Sequence, residues 1–134
     1  MSAAERFFDT NVLLYLLSGD AEKSDRAEQV LGAGGVISVQ VLNEFASVAT
    51  RRLRMSIGEV REILATLRAV CTVVPLSEDT HDLALQVAER YGLSIYDSLI
   101  AAAALLAGCK TVLSEDMQDG QLLAGKLKIK NPFR

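Results

Sequence analysis

The chain has a single histidine, only two cysteines and no CxxC pair, and these scarcities exclude several chemistries at once. A zinc centre needs clustered cysteine and histidine. Cys71 and Cys109 lie far apart, in apolar or glycine-flanked sequence, and are expected to be reduced, half-buried thiols. His81, flanked by Thr80 and Asp82 with Asp79 nearby, is expected at the surface of an amphipathic helix. Catalysis by a Ser-His or Cys-His pair is therefore not expected. The longest apolar run, residues 99–107, is too short to span a bilayer. The first residues have no basic stretch leading into an apolar one, as a secretory leader would. A cytoplasmic protein without membrane association is expected. Basic residues are not in excess: the formal net charge of −3 argues against nucleic-acid binding by a broad basic face. It leaves a nuclease open, because catalytic acids lower the net charge locally.

What is present reads as one domain spanning residues 1–134, long enough to bury a core. Strand-like and helical stretches alternate. Residues 6–9 form a short apolar strand, followed by a helix at 12–17 and a second at 21–31 that stops in a glycine cluster. Residues 36–37 are strand-like, and Ser38 has the position of an N-cap for a helix running to Arg52. A helix over 56–69 follows, then a β-branched strand at 71–76, then a helix capped by Ser77 and ended by Gly92. Ser94 starts a helix that is apolar nearly all round, hence buried, and ended by Gly108. A strand at 110–113, a helical turn at 121–124 and a strand at 127–129 complete the chain. Such alternation implies a parallel sheet with helices on both faces. No linker, repeat or low-complexity segment interrupts it.

Four short segments each carry a carboxylate: Asp9, Glu44, Asp97 and Asp116. Three of the four lie within or against strongly apolar sequence, and none of the segments supplies a basic residue. A buried carboxylate is costly unless it meets a cation or a full set of donors. Asp9 and Asp116 follow strands, at the sheet edge where α/β proteins collect ligands. Glu44 and Asp97 lie in early helical turns that can face the same way. Each acid also has an ordinary explanation. Asp9 could cap the helix after it, Asp97 could complete a capping box with Ser94, Glu44 could be a rim charge between Val41 and Val48, and Asp116 a loop acid. Their agreement on one sheet edge favours a site for one or two Mg²⁺ or Mn²⁺ ions. Such a site hydrolyses phosphodiesters without histidine.

The set Phe8-Asp9-Thr10-Asn11, residues 38–44, Tyr96-Asp97-Ser98 and Ser114-Glu115-Asp116 resembles the PIN-domain nucleases, particularly VapC-type toxins of bacterial toxin–antitoxin pairs. The ending Asn131-Pro132-Phe133 is similar too. The likeness covers nearly the whole chain in the right order. It implies a three-layer α/β/α sandwich around a central parallel sheet, Mg²⁺- or Mn²⁺-dependent cleavage of RNA, a homodimer and a small antitoxin partner. It carries over Asp9, Glu44, Asp97 and Asp116 as the acidic metal site, with Asn11 and Ser114 supporting the metal or substrate. Many relatives have a further acid two residues after the fourth; here Gln118 stands there and Asp119 follows, which leaves the role of Asp119 and the number of ions open. Two other readings compete. A phosphatase or receiver-type enzyme also places acids at strand ends, but Asn11 occupies the second acid of an Asp-x-Asp motif. A catalytically silent PIN-fold binding module would be expected to have lost an acid. Arg51, Arg52 and Arg54 are expected to complement a helix C-terminus rather than bind RNA phosphates. Lys126, Lys128 and Lys130 suit a solvated edge strand.

Overall fold

The strand Arg6-Phe7-Phe8 places two aromatic side chains fully inside the protein, and the sheet is built outward from it. The structure is a computed structural model describing residues 2–134. Its strands are β1 (Arg6–Phe8), β2 (Gly35–Ser38), β3 (Cys71–Val74), β4 (Thr111–Leu113), β5 (Leu122–Leu123) and β6 (Leu127–Lys130). The helices are α1 (Thr10–Leu14), α2 (Ala21–Gly32), α3 (Val39–Arg51), α4 (Ile57–Val70), α5 (Glu78–Tyr91) and α6 (Ile95–Leu106).

The strand order is β3-β2-β1-β4-β6-β5. All neighbours are parallel except β5, which pairs antiparallel with β6. The path from β1 to β2 to β3 steps in one direction. The connection from β3 to β4 returns across the sheet. Right-handed crossovers then place α1 to α4 on one face and α5 with α6 on the other. Packing agrees: α1 meets α3, α3 meets α4, and α5 lies along α6, which also touches β2, β4 and β6. The expected three layers are present.

Local chemistry accounts for the helix starts. The side chains of Asp9, Asp20, Ser38, Ser56, Ser77 and Ser94 each accept a backbone N–H in the first turn of the helix they precede. Ser56 and Glu59 form a reciprocal capping box. Gly92 ends α5 at φ 69°, the left-handed cap that glycine adopts without a Cβ penalty. In α6, Ala101, Ala102, Ala103 and Ala104 are all buried, as expected of a helix lying in a core.

Several details differ from the sequence-based expectation. The first strand ends at Phe8, because Asp9 turns to cap α1, which ends at Leu14 and tightens into a 3-10 turn over Tyr15–Leu17. The third strand ends at Val74, just before Pro75, which lacks the N–H needed to extend the ladder. The expected helical turn at 121–124 is instead β5, held by pairing with β6. That pairing makes β6 an interior strand, so Lys128 and Lys130 are not edge residues; they alternate outward while Leu127 and Ile129 are buried. Cys71 and Cys109 are buried rather than half-buried, and burial pushes the Cys109 thiol up to about 11. Ser94 caps the Asp97 amide, but the return bond of the expected box is not formed. His81 is exposed, as expected. Among the described residues no helix is long and apolar enough to cross a membrane.

One glycine is required by close approach. A Cβ at Gly35 would stand 2.4 Å from the Phe8 ring and 3.0 Å from the Arg6 carbonyl oxygen. Gly35→Ala is therefore expected to displace Phe8 and to lower stability by about 1–3 kcal/mol through overpacking. Urea denaturation of the variant checks this, and an unchanged midpoint would contradict it.

Candidate functional site

Asp9 follows the last residue of β1, where the apolar interior meets the end of the sheet. Its amide donates to the Leu113 carbonyl at 3.0 Å, which ties it to the end of β4. Strands β1 and β4 are adjacent, and successive connections leave them in opposite directions. This is the topological switch point at which open α/β sheets form a crevice.

Asp9 is 6% exposed. One oxygen accepts the Thr10 amide at 2.7 Å. The other accepts the Ser114 hydroxyl at 2.8 Å and the Asn11 side-chain amide at 3.2 Å. Burial raises its pKa to about 6, the Asp97 and Asp116 charges add to the rise, and the Ser114 and Thr10 bonds oppose it.

Ser114 and Asn11 join the two strand ends. The Ser114 hydroxyl, having donated to Asp9, accepts the amides of Asp116 and Met117 at 3.2 Å each. The Asn11 amide nitrogen also reaches Asp116 at 3.1 Å, and its oxygen accepts the Glu115 amide at 3.1 Å. The loop carrying Asp116 is thus folded around two neutral side chains.

Glu44 projects from the second turn of α3. One of its oxygens accepts the Thr10 hydroxyl at 3.0 Å, the other the Gln40 amide at 2.6 Å. Asp97, half-buried in the first turn of α6, has its pKa raised by burial and by the Asp116 and Glu44 charges, against the lowering effect of Ser94.

All four acids line one cavity of about 140 Å³, with Asn11 on its wall and Leu14, Val48 and Ile100 as apolar neighbours. Among the described residues the ion pairs join Lys23 to Glu115, Lys110 to Glu5 and Arg134 to Asp119; none involves these four acids. Every donor to them is neutral. Nor do three such side chains converge closely enough to hold an ion by themselves among the described residues. The acids stand around the cavity wall, as like charges do. Hard oxygen donors, the raised pKa values of Asp9 and Asp97 and the lack of a basic partner among the described residues fit a hard divalent cation. A larger groove of about 550 Å³ between α2 and the C-terminal residues mixes Asp20, Asp25, Lys23 and Arg26 and contains none of the four acids.

Other candidates lie elsewhere. Asp119 accepts the Asn131 amide at 2.8 Å and lies 3.9 Å from Arg134, outside the cavity. Arg51 bonds back to Ser47 at the C-terminal end of α3, and Arg52 and Arg54 are exposed. Sequence reasoning missed three residues. Thr10 and Gln40 hold Glu44, and the available signal was a polar residue four positions before Glu44, on the same helix face. Glu115 faces away from the acids, where Tyr15 donates to it and Lys23 pairs with it at 3.1 Å; its pKa is lowered, first by the Tyr15 bond.

The Asp9 carboxyl holds its proton more tightly folded, at about 6, than at its ordinary value of 3.8. Its contribution to stability is therefore complete below about pH 4 and lost as pH rises through about 6. At neutral pH the metal-free protein carries a buried charge costing about 2–3 kcal/mol. In EDTA, Asp9→Asn is expected to raise the melting temperature at neutral pH and to flatten the decline between about pH 4 and 6. Parallel pH profiles for the two proteins would contradict this.

The PIN domain family model matches residues 6–118. Solved structures share the fold. A toxin–antitoxin complex from Klebsiella pneumoniae aligns with a TM-score of 0.72 at 22% identity, covering 95% of this chain and 97% of that one. FitAcB from Neisseria gonorrhoeae aligns at 0.69 and 19%, covering 96% and 98%. VapC20 of Mycobacterium tuberculosis, a sarcin-ricin-loop-cleaving toxin, aligns at 0.67 and 21%, covering 83% and 89%. No curated protein matches this chain. The matched span runs from the first strand through the segment of the fourth acid, and by it this chain belongs to the PIN-domain family.

Proposed function

We propose that this protein is a metal-dependent endoribonuclease, the toxin of a toxin–antitoxin pair, acting in the cytoplasm. The observation that carries the reading is the cavity at the sheet switch point. Four carboxylates from four separate segments line it; those of Asp9, Glu44 and Asp116 accept hydrogen bonds from neutral donors, and among the described residues none of the four is paired with a base. Asp9, Glu44, Asp97 and Asp116 would hold one or two Mg²⁺ or Mn²⁺ ions. When bound, such an ion activates water and stabilises charge developing on a phosphoryl oxygen. Asn11 and Ser114 keep Asp9 and the Asp116 loop in register, and Leu14, Val48 and Ile100 form the apolar part of the cavity wall. Likeness to toxin–antitoxin structures supports a small antitoxin partner, and a homodimer belongs to the same reading.

A phosphomonoesterase is the weaker reading. Asn11, at the position of its second acid, commits its amide to Asp9, Ser114 and Asp116 and is a neutral scaffold.

Purified protein is expected to cut end-labelled total RNA with Mg²⁺ or Mn²⁺ and not with EDTA. Asp9→Asn and Asp97→Asn are each expected to fold and to lose cleavage by at least about a hundredfold, the scale of losing a group that acts on the transition state. Full activity in either variant would remove it from the catalytic set. Millimolar Mn²⁺ is expected to raise the wild-type melting temperature by linkage, since it binds the folded state alone. An unchanged melting temperature would count against any metal site here.

A further inference from the structure

Gln40 is buried, polar and flanked in sequence by Val39 and Val41. The residue is 5% exposed, and its amide nitrogen makes two contacts, one within α3 and one across to α6. One is to Glu44 Oε1 at 2.6 Å, one turn further along α3; the other is to the Tyr96 carbonyl at 3.4 Å, in the first turn of α6. Tyr96 immediately precedes Asp97. A single amide group therefore connects the helix carrying Glu44 to the residue beside Asp97, and both acids face the same cavity. The other end of the amide, Oε1, is buried without a hydrogen-bond partner among the described residues.

An apolar side chain of similar length would avoid that unsatisfied oxygen, which is costly to bury. A lysine here would satisfy Glu44 but cancel its charge. Glutamine does neither: it donates to a carboxylate while leaving the negative charge available. Thr10 does the same at the opposite oxygen of Glu44. The carboxylate is held on both sides by neutral donors, which orients it.

We propose that Gln40 is a positioning residue that sets the placement of Glu44 relative to Asp97 and so the affinity of the cavity for a divalent cation. The proposal rests on the reading of the cavity as a metal site. Gln40 lies outside the cavity lining; it acts through Glu44 and through the first turn of α6.

The test titrates Mn²⁺ into wild-type and Gln40→Met protein by calorimetry and records the metal-free melting temperature of each. Methionine keeps the length of the side chain and removes both the donor and the unsatisfied oxygen. The expected result is a fall in Mn²⁺ affinity of about tenfold or more, the scale of losing an outer-shell partner. The metal-free melting temperature is expected to hold or rise. Equal affinities would overturn the proposal, and lower stability with equal affinity would make Gln40 a packing residue only. If Gln40→Met does not fold, Gln40→Asn carries the same comparison, since its shorter stem withdraws the amide from Glu44. Wild-type protein that binds no Mn²⁺ would overturn the metal-site reading and this proposal with it, whereas wild-type binding that both variants match would overturn this proposal alone.

Discussion

The structure turns on a concentration of negative charge at the end of a hydrophobic sheet. Asp9 is nearly as inaccessible as the Phe8 that precedes it, and among the described residues no lysine or arginine comes to meet it. Low-dielectric surroundings and like charges both act against its ionised form. The network around it answers with hydrogen bonds rather than counter-charge. Backbone amide, hydroxyl and carboxamide groups orient the acids without neutralising them. Some folding stability at neutral pH is given up as a result, the usual condition of a site arranged for chemistry rather than for packing.

Geometry separates the four acids from their acidic neighbours. Glu115 is adjacent to Asp116, yet Tyr15 and Lys23 draw its side chain to the other side of the loop, while Asn11 holds its backbone amide. Asp119 is drawn toward Asn131 and Arg134. The contrast is informative: among the described residues the acids with basic partners lie outside the cavity, and none inside it has one. The sheet makes the arrangement possible. Parallel pairing of β1 with β4 brings Phe8 opposite Leu113, so the residues after each strand begin from the same level. The absence of a side chain at Gly35 lets the Phe8 ring pack there, and Phe8 in turn supports Asp9.

Much of the architecture could be read along the chain. Serine and aspartate caps marked the helix starts, because a side-chain oxygen that satisfies first-turn amides acts within three residues. Gly92 and the alanine-rich apolar helix were legible for equally local reasons. The elements misjudged were those that depend on distant partners. Residues 121–124 have no strong local preference, and pairing with β6 makes two of them a strand. The lysines of β6 look like an edge pattern until β5 covers it. The cysteines were underestimated in burial because the layers that cover them come from elsewhere in the chain.

The same division applies to the site. The amino-acid sequence by itself determined which residues bear charge, that four acids stand in segments without a base, three of them in or beside apolar sequence, and that strands and helices alternate. Those are properties of local composition and spacing. Only the tertiary structure decided that Asp9, Glu44, Asp97 and Asp116 share one cavity, that Thr10 and Gln40 hold Glu44 from both sides, and that Glu115 is turned away. Each of those facts joins residues from different elements, and a side chain's direction is set by what packs against it once the sheet has closed.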